Sequence, residues 1–382
     1  MAQPIVKAVG LVLAFLLLVT GGCSDRQAEP AELHIGLVAA LSGPIAGMGE
    51  ACLAAAELAV GEVNSAGGLE IDGRRYRLVL HVEDNQDSAE QATSAALRLI
   101  NQDNVVAIVG PLASRNAIPA ARIAEQAGIP MISPSSTNPE TTRGKQWVFR
   151  AAFIDTFQGR LMARFARQQL GLSRAAVLFD VASEYNRGLA EYFRATFEEL
   201  GGEVVAYEAY TRDVADISEQ LQRIKNSGAE LLFLPNYYSE VPDQARQARE
   251  MGIDAQLMGG DSWAQIRPVD RVQVEGAFFS GHYAVDSVEP AIRAFADHFR
   301  QLYGRDADGV AALSYDAFGL LFRAMQLGGV EPQGIRDALL AMPPYEGVTG
   351  RIDYLDSGDP VRSAVVQEVR DGSFQFRAWV EP

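Results

Sequence analysis

The chain has 382 residues, of which 48% are hydrophobic, and it carries a formal net charge of −16 at pH 7. This length and hydrophobic content are enough for a sizeable core and favour two domains. The acidic excess argues against nucleic acid or an anionic membrane surface as partners. The four histidines are scattered without ligand spacing, so the sequence predicts no metal site, and it predicts no cofactor.

Residues 1–22 have the features of an export signal, because Lys7 precedes an apolar stretch that is too short to span a bilayer. Residues 18–24 (LVTGGCS) resemble a bacterial lipobox, although a threonine stands where an aliphatic residue is usual. This resemblance implies that Cys23 carries lipid and that residues 23–32 tether a periplasmic or cell-surface lipoprotein to the membrane. The alternative is an ordinary secretory signal with an unrelated cysteine.

The first half of the mature chain alternates predicted strands and helices. The apolar run at 33–40 and the alternating pattern at 76–82 predict strands. Helical periodicity predicts helices at 49–65 and 88–102, the first of which ends at a pair of glycines. Together these elements are typical of an α/β protein.

A β-α-β unit follows. Two apolar runs, 105–109 and 129–132, flank a helical stretch at 115–127, and each run ends in a turn rich in glycine, proline and hydroxyl residues. Parallel sheets place ligands outside the carboxyl ends of their strands. Both turns offer hydroxyls and backbone N–H groups beside helix starts, which suits a small anion such as a carboxylate.

After residues 145–152 the strand–helix pattern restarts, and the tail from residue 350 alternates like antiparallel strands. The elements predicted in between are helices at 158–170, 187–200, 217–226, 243–251, 290–303, 311–327 and 334–342, and strands at 175–179, 203–210, 229–234, 256–258 and 277–280.

The alternation implies parallel sheets with helices on both faces. About eight parallel strands could form one large sheet or two doubly wound lobes. The restart near residue 150 favours two lobes.

Several segments, in this order and spacing, resemble the branched-chain amino-acid type of bacterial solute-binding protein, the type I periplasmic binding proteins that serve ABC importers. These segments are 36–44, 64–68, 105–142, 236–240, 258–261 and 315–317.

The resemblance implies two α/β lobes joined by a hinge of three strands. It places the first lobe at 32–154 and 284–348, and the second at 155–283 and 349–382. It also implies closure of the lobes around a ligand, a motion for which periplasmic binding proteins are a standard example. The partners it implies are a small-molecule ligand and the permease and ATPase subunits of an importer, and we expect a monomer.

The resemblance assigns roles to residues of the first lobe. Ser114 and Thr137 match groups that hold the α-carboxylate of an amino acid, and the carbonyl of Ser135 matches an acceptor for its ammonium. Ser136 belongs to the same binding turn. Met48 stands where an aromatic residue often lines the pocket for the ligand side chain, so the preferred side chain is open.

In the second lobe, Asp261 falls where a carboxylate accepts the same ammonium, and Tyr185 and Tyr237 fall where aromatic residues close over the ligand. A zwitterion buried between lobes needs both of its charges satisfied, because an unpaired buried charge costs several kcal/mol or more. Only a ligand with both groups would then bridge the cleft, which gives closure its driving force.

Several of these residues also fit purely structural roles. Ser114 is suited to cap the helix that follows it, and Asp261 is suited to cap a short helix. Residues 135–137 fit a plain turn, and Tyr185 and Tyr237 fit packing positions.

Three further features have weaker links to a site. Trp263 is interpreted as an aromatic residue at the edge of a lobe, and Tyr315 as a core residue. Residues 83–87, which end a strand, are interpreted as a solvated turn, with a position at the border of the cleft as the alternative.

Enzyme functions find no support in the sequence. Residues 42–49 have their glycines in the wrong order for a dinucleotide-binding turn, and no P-loop or Gly-x-Ser-x-Gly motif occurs. The second alternative is a sensory module that reports ligand occupancy to a membrane receptor, since one fold supports several functions. For the ligand we predict a neutral aliphatic or hydrophobic amino acid, with γ-aminobutyrate, amides and aromatic acids as alternatives.

Overall fold

The computed structural model describes residues 30–212, 216–283, 289–355 and 357–382, together with Met1. The predicted export signal and Cys23 lie outside the described residues. None of the helices in the described part of the chain combines the length and apolarity that crossing a membrane requires.

The first sheet has six strands in the order β2-β3-β1-β4-β5-β6, and all of its pairs except the β2–β3 hairpin are parallel. Its elements are β1 (Ala31–Ala39), α1 (Ala46–Ser65), β2 (Leu69–Ile71), β3 (Arg74–Asp84), α2 (Ala89–Asn101), β4 (Ala107–Val109), α3 (Ser114–Ala127), β5 (Met131–Ser133) and β6 (Val148–Arg150).

The chain then crosses to a second sheet. The elements of this part are α4 (Asp155–Arg164), β7 (Arg174–Asp180), α5 (Glu184–Glu199), β8 (Glu203–Tyr210), α6 (Ser218–Ser227), β9 (Leu231–Leu234), α7 (Val241–Glu250), β10 (Gln256–Gly259) and β11 (Phe278–Gly281). Between α4 and β7, one π-helical turn covers Phe165–Gln169, and two 3-10 helices, Asp261–Gln265 and Pro268–Val274, follow β10.

The remaining elements return to the first lobe and then to the second. They are α8 (Pro290–Tyr303), α9 (Gly309–Gly328), α10 (Pro332–Ala341), β12 (Tyr345–Gly347), β13 (Gly350–Tyr354), β14 (Pro360–Val361), β15 (Ala364–Arg370) and β16 (Ser373–Val380). Helices α8 and α9 pack on α1, whereas β15 and β16 extend the second sheet, whose order is β16-β15-β11-β10-β9-β7-β8. The chain therefore crosses between the lobes three times.

The prediction of two doubly wound α/β lobes is confirmed. Within the described ranges ten strands run parallel, five in each sheet, compared with the eight or so expected. The lobe boundaries at residues 154, 283 and 348 stay predictions, and residues 284–288, where the second crossing was placed, lie outside the described residues.

Close packing of helices on both faces of the sheets explains the apolar strands. Ile35, Leu37 and Val38 of β1 are fully buried, as expected for a strand covered on both sides. A Cβ atom at Gly36 would lie 2.8 Å from the side chain of Leu99, so glycine here lets α2 approach the sheet.

Candidate functional site

A small cavity lies between the two lobes, at the carboxyl ends of strands from both sheets. The volume that the centres of water-sized spheres can occupy in it is about 30 Å³. The cavity is lined by Met48, Leu112, Ala113, Ser114, Ser135, Tyr185, Tyr237, Asp261, Ser262, Ala264, Gln265, His282, Tyr283, Gly309, Val310 and Leu313. Six of the eight predicted site residues are therefore brought together here; Ser136 and Thr137 lie outside the lining.

The turn after β4 presents Ser114 to the cavity. Gly110 has a φ of 95°, and a Cβ atom there would lie 2.1 Å from the carbonyl oxygen of Val38, so only glycine allows this turn. Helix α3 begins at Ser114, and its cap is Ala113, which has no side-chain hydrogen bond. Interpreting Ser114 as a helix cap is therefore wrong, and its hydroxyl is available for other contacts.

The hydroxyl of Ser114 accepts two hydrogen bonds, and its own proton has no acceptor among them. Its Oγ accepts from the hydroxyl of Ser136 at 3.0 Å and from the backbone N–H of Asn138 at 3.3 Å. A serine hydroxyl has two acceptor positions and one donor proton. With both acceptor positions occupied by described residues, the O–H proton is left to bind an anion such as a carboxylate.

The turn that carries Ser135, Ser136 and Thr137 is buried. The hydroxyl of Ser135 donates to the carbonyl of Leu112 at 3.2 Å, which leaves its backbone at the cavity wall. The hydroxyl of Ser136 is engaged by Ser114 and Thr141, so it supports the turn from behind. The Thr137 hydroxyl is buried and faces the carboxyl group of Asp155, whose pKa it lowers.

Asp261 faces the cavity from the opposite lobe. The side chains of Gln158 and Tyr185 each donate to its Oδ1 at 2.8 Å, and Nε2 of His282 lies 3.1 Å from its Oδ2. Burial by itself raises the pKa of Asp261, but the hydrogen bonds from His282, Gln158 and Tyr185 outweigh it and hold the pKa below its usual range. Asp261 is therefore an anion that is fixed in position.

The neighbours of Asp261 are neutral donors. Burial lowers the pKa of His282, more than Asp261 raises it, so the imidazole is uncharged at neutral pH. Burial also raises the pKa of Tyr185 well above its ordinary value, with Asp261 adding to the effect, so its hydroxyl stays protonated. The 3-10 helix at Asp261 is capped by Gly260 without a side-chain hydrogen bond, so the capping interpretation of Asp261 is wrong.

Aromatic rings and aliphatic side chains complete the cavity. The rings of Tyr185 and Tyr237 pack against each other with centroids 5.0 Å apart. Met48 lies on the side of the first lobe, where it is 4% exposed, close to Leu112 and Leu313 in the cavity wall. These side chains give the cavity an apolar part of its lining.

Direct contacts hold the lobes together beside the cavity. The carboxylate of Asp87 in the first lobe forms ion pairs with Arg115 at 2.5 Å and with Arg212 of the second lobe at 3.1 Å. The guanidinium of Arg115 also lies 4.3 Å from the ring centroid of Tyr237. The described conformation is therefore closed. Interpreting residues 83–87 as a solvated turn was wrong for Asp87, whose side chain is fully buried by these arginines.

Other residues have positions that differ from expectation. Trp263 is fully buried and donates from its indole N–H to the carbonyl of Leu234, so it is a core residue rather than one at a lobe edge. Tyr315 packs against the core and donates to Glu62, in line with the core interpretation. His34 and His81, far apart in sequence, lie 2.8 Å apart between ring nitrogens. In the described ranges no group of three or more acidic, histidine or cysteine residues could hold a metal ion.

Two residues that the sequence reasoning missed hold Asp261, namely Gln158 and His282. Gln158 lies on the first turn of α4, where nothing local marks it. His282 directly follows β11, and the carboxyl end of a parallel strand was a signal that could have identified it.

Two α/β lobes that close on a polar cleft define a protein that binds and encloses a small ligand. A family model described as periplasmic binding protein matches residues 32–373. The chain therefore belongs to the periplasmic binding protein family.

Individual relatives agree with this assignment. A leucine-, isoleucine-, valine-, threonine- and alanine-binding protein of Pseudomonas aeruginosa is 28% identical, with 90% of this chain and 91% of that protein covered. A leucine-binding protein of Thermotoga maritima is 31% identical with a TM-score of 0.84, covering 92% of this chain and 99% of that one. A branched-chain amino-acid transporter binding protein of Streptococcus pneumoniae, solved with isoleucine, is 30% identical with a TM-score of 0.84, covering 92% and 100%.

Proposed function

We propose that this protein captures a small aliphatic or hydrophobic amino acid between its lobes and delivers it to the permease and ATPase subunits of an ABC importer. The supporting observation is the pairing of a free hydroxyl proton on Ser114, in the first lobe, with the anionic carboxylate of Asp261, in the second. These two groups suit the two poles of an amino acid.

The two poles make closure depend on the ligand. The carboxylate binds the first lobe through Ser114 and Thr137, while the ammonium binds the carbonyl of Ser135 and, in the second lobe, Asp261. A ligand shifts a conformational equilibrium only by its differential affinity for the two states. An amino acid gains its second set of contacts only in the closed state, and Tyr185 and Tyr237 then cover it.

The apolar wall indicates the side chain. Met48, Leu112, Val310 and Leu313 contribute apolar side chains to the cavity lining. Burial of an aliphatic side chain against them contributes roughly 1.5–3 kcal/mol. The relatives named above bind leucine, isoleucine and similar amino acids, which supports the same class here. No observation favours a sensory module over an import receptor.

Calorimetry with the twenty amino acids, γ-aminobutyrate and benzoate tests the proposal. We expect leucine, isoleucine, valine or another apolar amino acid to bind tightest, with the ligand recovered chemically unchanged because the protein is a receptor and not an enzyme. Binding of benzoate alone, or chemical conversion of the amino acid, would contradict the proposal.

We also propose that the mature protein is an exported monomer anchored by lipid on Cys23. The support is the export signal pattern at 1–22 and the lipobox-like residues 18–24. In a bacterial host, Cys23→Ser should move the protein from the membrane fraction to the soluble periplasmic fraction. Equal membrane retention of both forms would exclude the lipid.

A further inference from the structure

A pair of histidines lies on the first lobe, away from the ligand cavity. Nδ1 of His34 and Nε2 of His81 are 2.8 Å apart, close enough for a hydrogen bond between the two rings. The other ring nitrogen of His81, Nδ1, lies 3.3 Å from Oδ1 of Asp103. None of these three residues lines the ligand cavity, so the proposed function leaves them without a role.

The pairing of β1 with β3 brings the two rings together. Gly36 of β1 stands opposite His81 of β3, so His34, two residues before Gly36, lies on the same face of the sheet as His81. Helix α2 packs on this face, and Asp103 follows its C-terminus, where the helix dipole favours a cation. Both histidines are partly exposed, so an ion can reach them from solvent.

The distance between the two nitrogens matches one coordination geometry. A transition metal holds imidazole nitrogens at about 2.0 Å, so two of them lie about 2.8 Å apart at a right angle and about 3.3 Å apart at the tetrahedral angle. The observed 2.8 Å therefore fits neighbouring positions of a square-planar or tetragonal ion. Cu²⁺ and Ni²⁺ adopt this geometry, and Cu²⁺ binds nitrogen ligands the more tightly of the two.

We propose that His34 and His81 form a binding site for Cu²⁺ and that Asp103 is its positioning residue. In the part of the chain that the structure describes, no three acidic, histidine or cysteine residues are grouped to hold one ion, so water has to fill the positions that the two imidazoles leave. The two histidines are 47 residues apart, which is why their spacing in the sequence predicted no metal site. The inference does not depend on the proposed function.

The carboxylate of Asp103 sets the tautomer of His81. A carboxylate beside Nδ1 favours the proton on Nδ1, which leaves the lone pair on Nε2 free and makes this nitrogen a better ligand. Without metal, Nδ1–H of His34 donates to that lone pair. When Cu²⁺ binds, it takes the place of this proton, which passes through solvent to Nε2 of His34, so both rings stay neutral and no net proton is released.

The test is a calorimetric titration of the protein, free of any affinity tag and of amino acids, with Cu²⁺ in a non-coordinating buffer at pH 7. The wild type should bind one equivalent more tightly than any other. The electron paramagnetic resonance spectrum of that equivalent should show hyperfine splitting from two nitrogens. Zn²⁺, which prefers tetrahedral ligands, should bind more weakly. One equivalent of Cu²⁺ should also raise the melting temperature, because it binds only the folded pair.

His34→Gln and His81→Gln should each remove the tightly bound equivalent and the rise in melting temperature. Asp103→Asn should keep the two-nitrogen spectrum and bind Cu²⁺ about 10- to 100-fold more weakly, the loss typical of a residue that orients a metal ligand. His298→Gln is the matched control, because His298 on α8 also lies 2.8 Å from a carboxylate, that of Glu62, and should bind Cu²⁺ like the wild type. Circular dichroism without copper shows that each variant is folded.

Two results would overturn the site. One is equal Cu²⁺ affinity in the wild type, His34→Gln and His81→Gln, which would leave the two rings joined by a hydrogen bond and nothing more. The other is loss of the tight equivalent in His298→Gln, which would place the copper on α8. If Asp103→Asn bound Cu²⁺ as tightly as the wild type, the positioning role of Asp103 would be wrong.

Discussion

Asp261→Ala should abolish measurable binding of amino acids while leaving a folded protein. Removing one partner of a buried charge pair costs about 2–5 kcal/mol, which corresponds to roughly 30- to 4,000-fold in affinity. The ammonium would lose the acceptor that Asp261 is proposed to supply. Calorimetry with L-leucine measures the loss directly.

Asp261→Ala should also lower the stability of the protein, independently of its effect on ligand affinity. Without the carboxylate, the donors of Gln158, Tyr185 and His282 lose their acceptor, which should lower the free energy of unfolding by about 1–3 kcal/mol. Asp261→Asn keeps one acceptor oxygen, so it should retain more stability and still lose most of the affinity.

A ligand without the amine isolates the ammonium contact. 4-Methylpentanoate has the carbon skeleton and carboxylate of leucine and lacks its ammonium. In the wild type it should bind far more weakly than leucine, and in Asp261→Ala the two ligands should bind alike. Asp254→Ala serves as the exposed control. Leucine affinity that stays unchanged in a folded Asp261→Ala protein would remove Asp261 from the site.

The parts of the molecule that could be predicted from sequence are those specified by local pattern. Strand β8 and helix α8 have the predicted bounds, because a pair of glycines precedes β8, and Pro290 and Gly304 stand at the two ends of α8. Ser114, Ser135 and Asp261 could be proposed because each stands at or just beyond the end of a parallel strand, and such ends meet at one edge of a sheet. The short hairpin formed by β2 and β3 was missed because three residues carry too little periodicity.

The interactions that position the site could not be predicted, because their partners are far apart in the chain. Nothing local distinguishes Gln158 from a surface residue, and for His282 the only signal is its place at the end of β11. Both act through Asp261, which is more than 20 residues from either. Asp87 follows a polar run that indicates a solvated turn. It is buried by Arg115, 28 residues further on, and by Arg212, which approaches from the other lobe and is 125 residues further on.

The largest effect on stability is expected at Arg150, which is fully buried on β6 and which the sequence did not single out. Its Nε donates to Asp359 at 2.6 Å, and its two Nη atoms donate to the carbonyls of Ser136 at 2.6 Å and Asn138 at 2.9 Å. These carbonyls stand on either side of Thr137. The planar guanidinium therefore fixes the turn that carries the proposed ligand groups.

Arg150→Met should lower the free energy of unfolding by about 3–5 kcal/mol, because it removes the buried cation that pairs with Asp359 and the donor to the carbonyl of Ser136. Asp359 would keep the hydroxyl of Thr142, and the carbonyl of Asn138 would keep the N–H of Thr141. Arg150→Lys keeps the positive charge but lacks the planar guanidinium with its several N–H donors. It should therefore lose less stability than Arg150→Met but remain less stable than the wild type. Leucine affinity should fall in both variants, since the turn with Thr137 is no longer held. Urea unfolding and calorimetry provide the two readouts.

Arg143→Met is the matched control for the loss of a guanidinium on the same lobe. Arg143 forms an exposed ion pair with Glu140, and such pairs contribute little, so unfolding should change by no more than about 1 kcal/mol and affinity should not change. If Arg150→Lys bound leucine as tightly as the wild type, the turn with Thr137 would keep its shape without the guanidinium. The backbone alone would then position the groups that bind the ligand. If Arg150→Met lost stability and kept its affinity, Arg150 would be a residue of the lobe core with no part in binding.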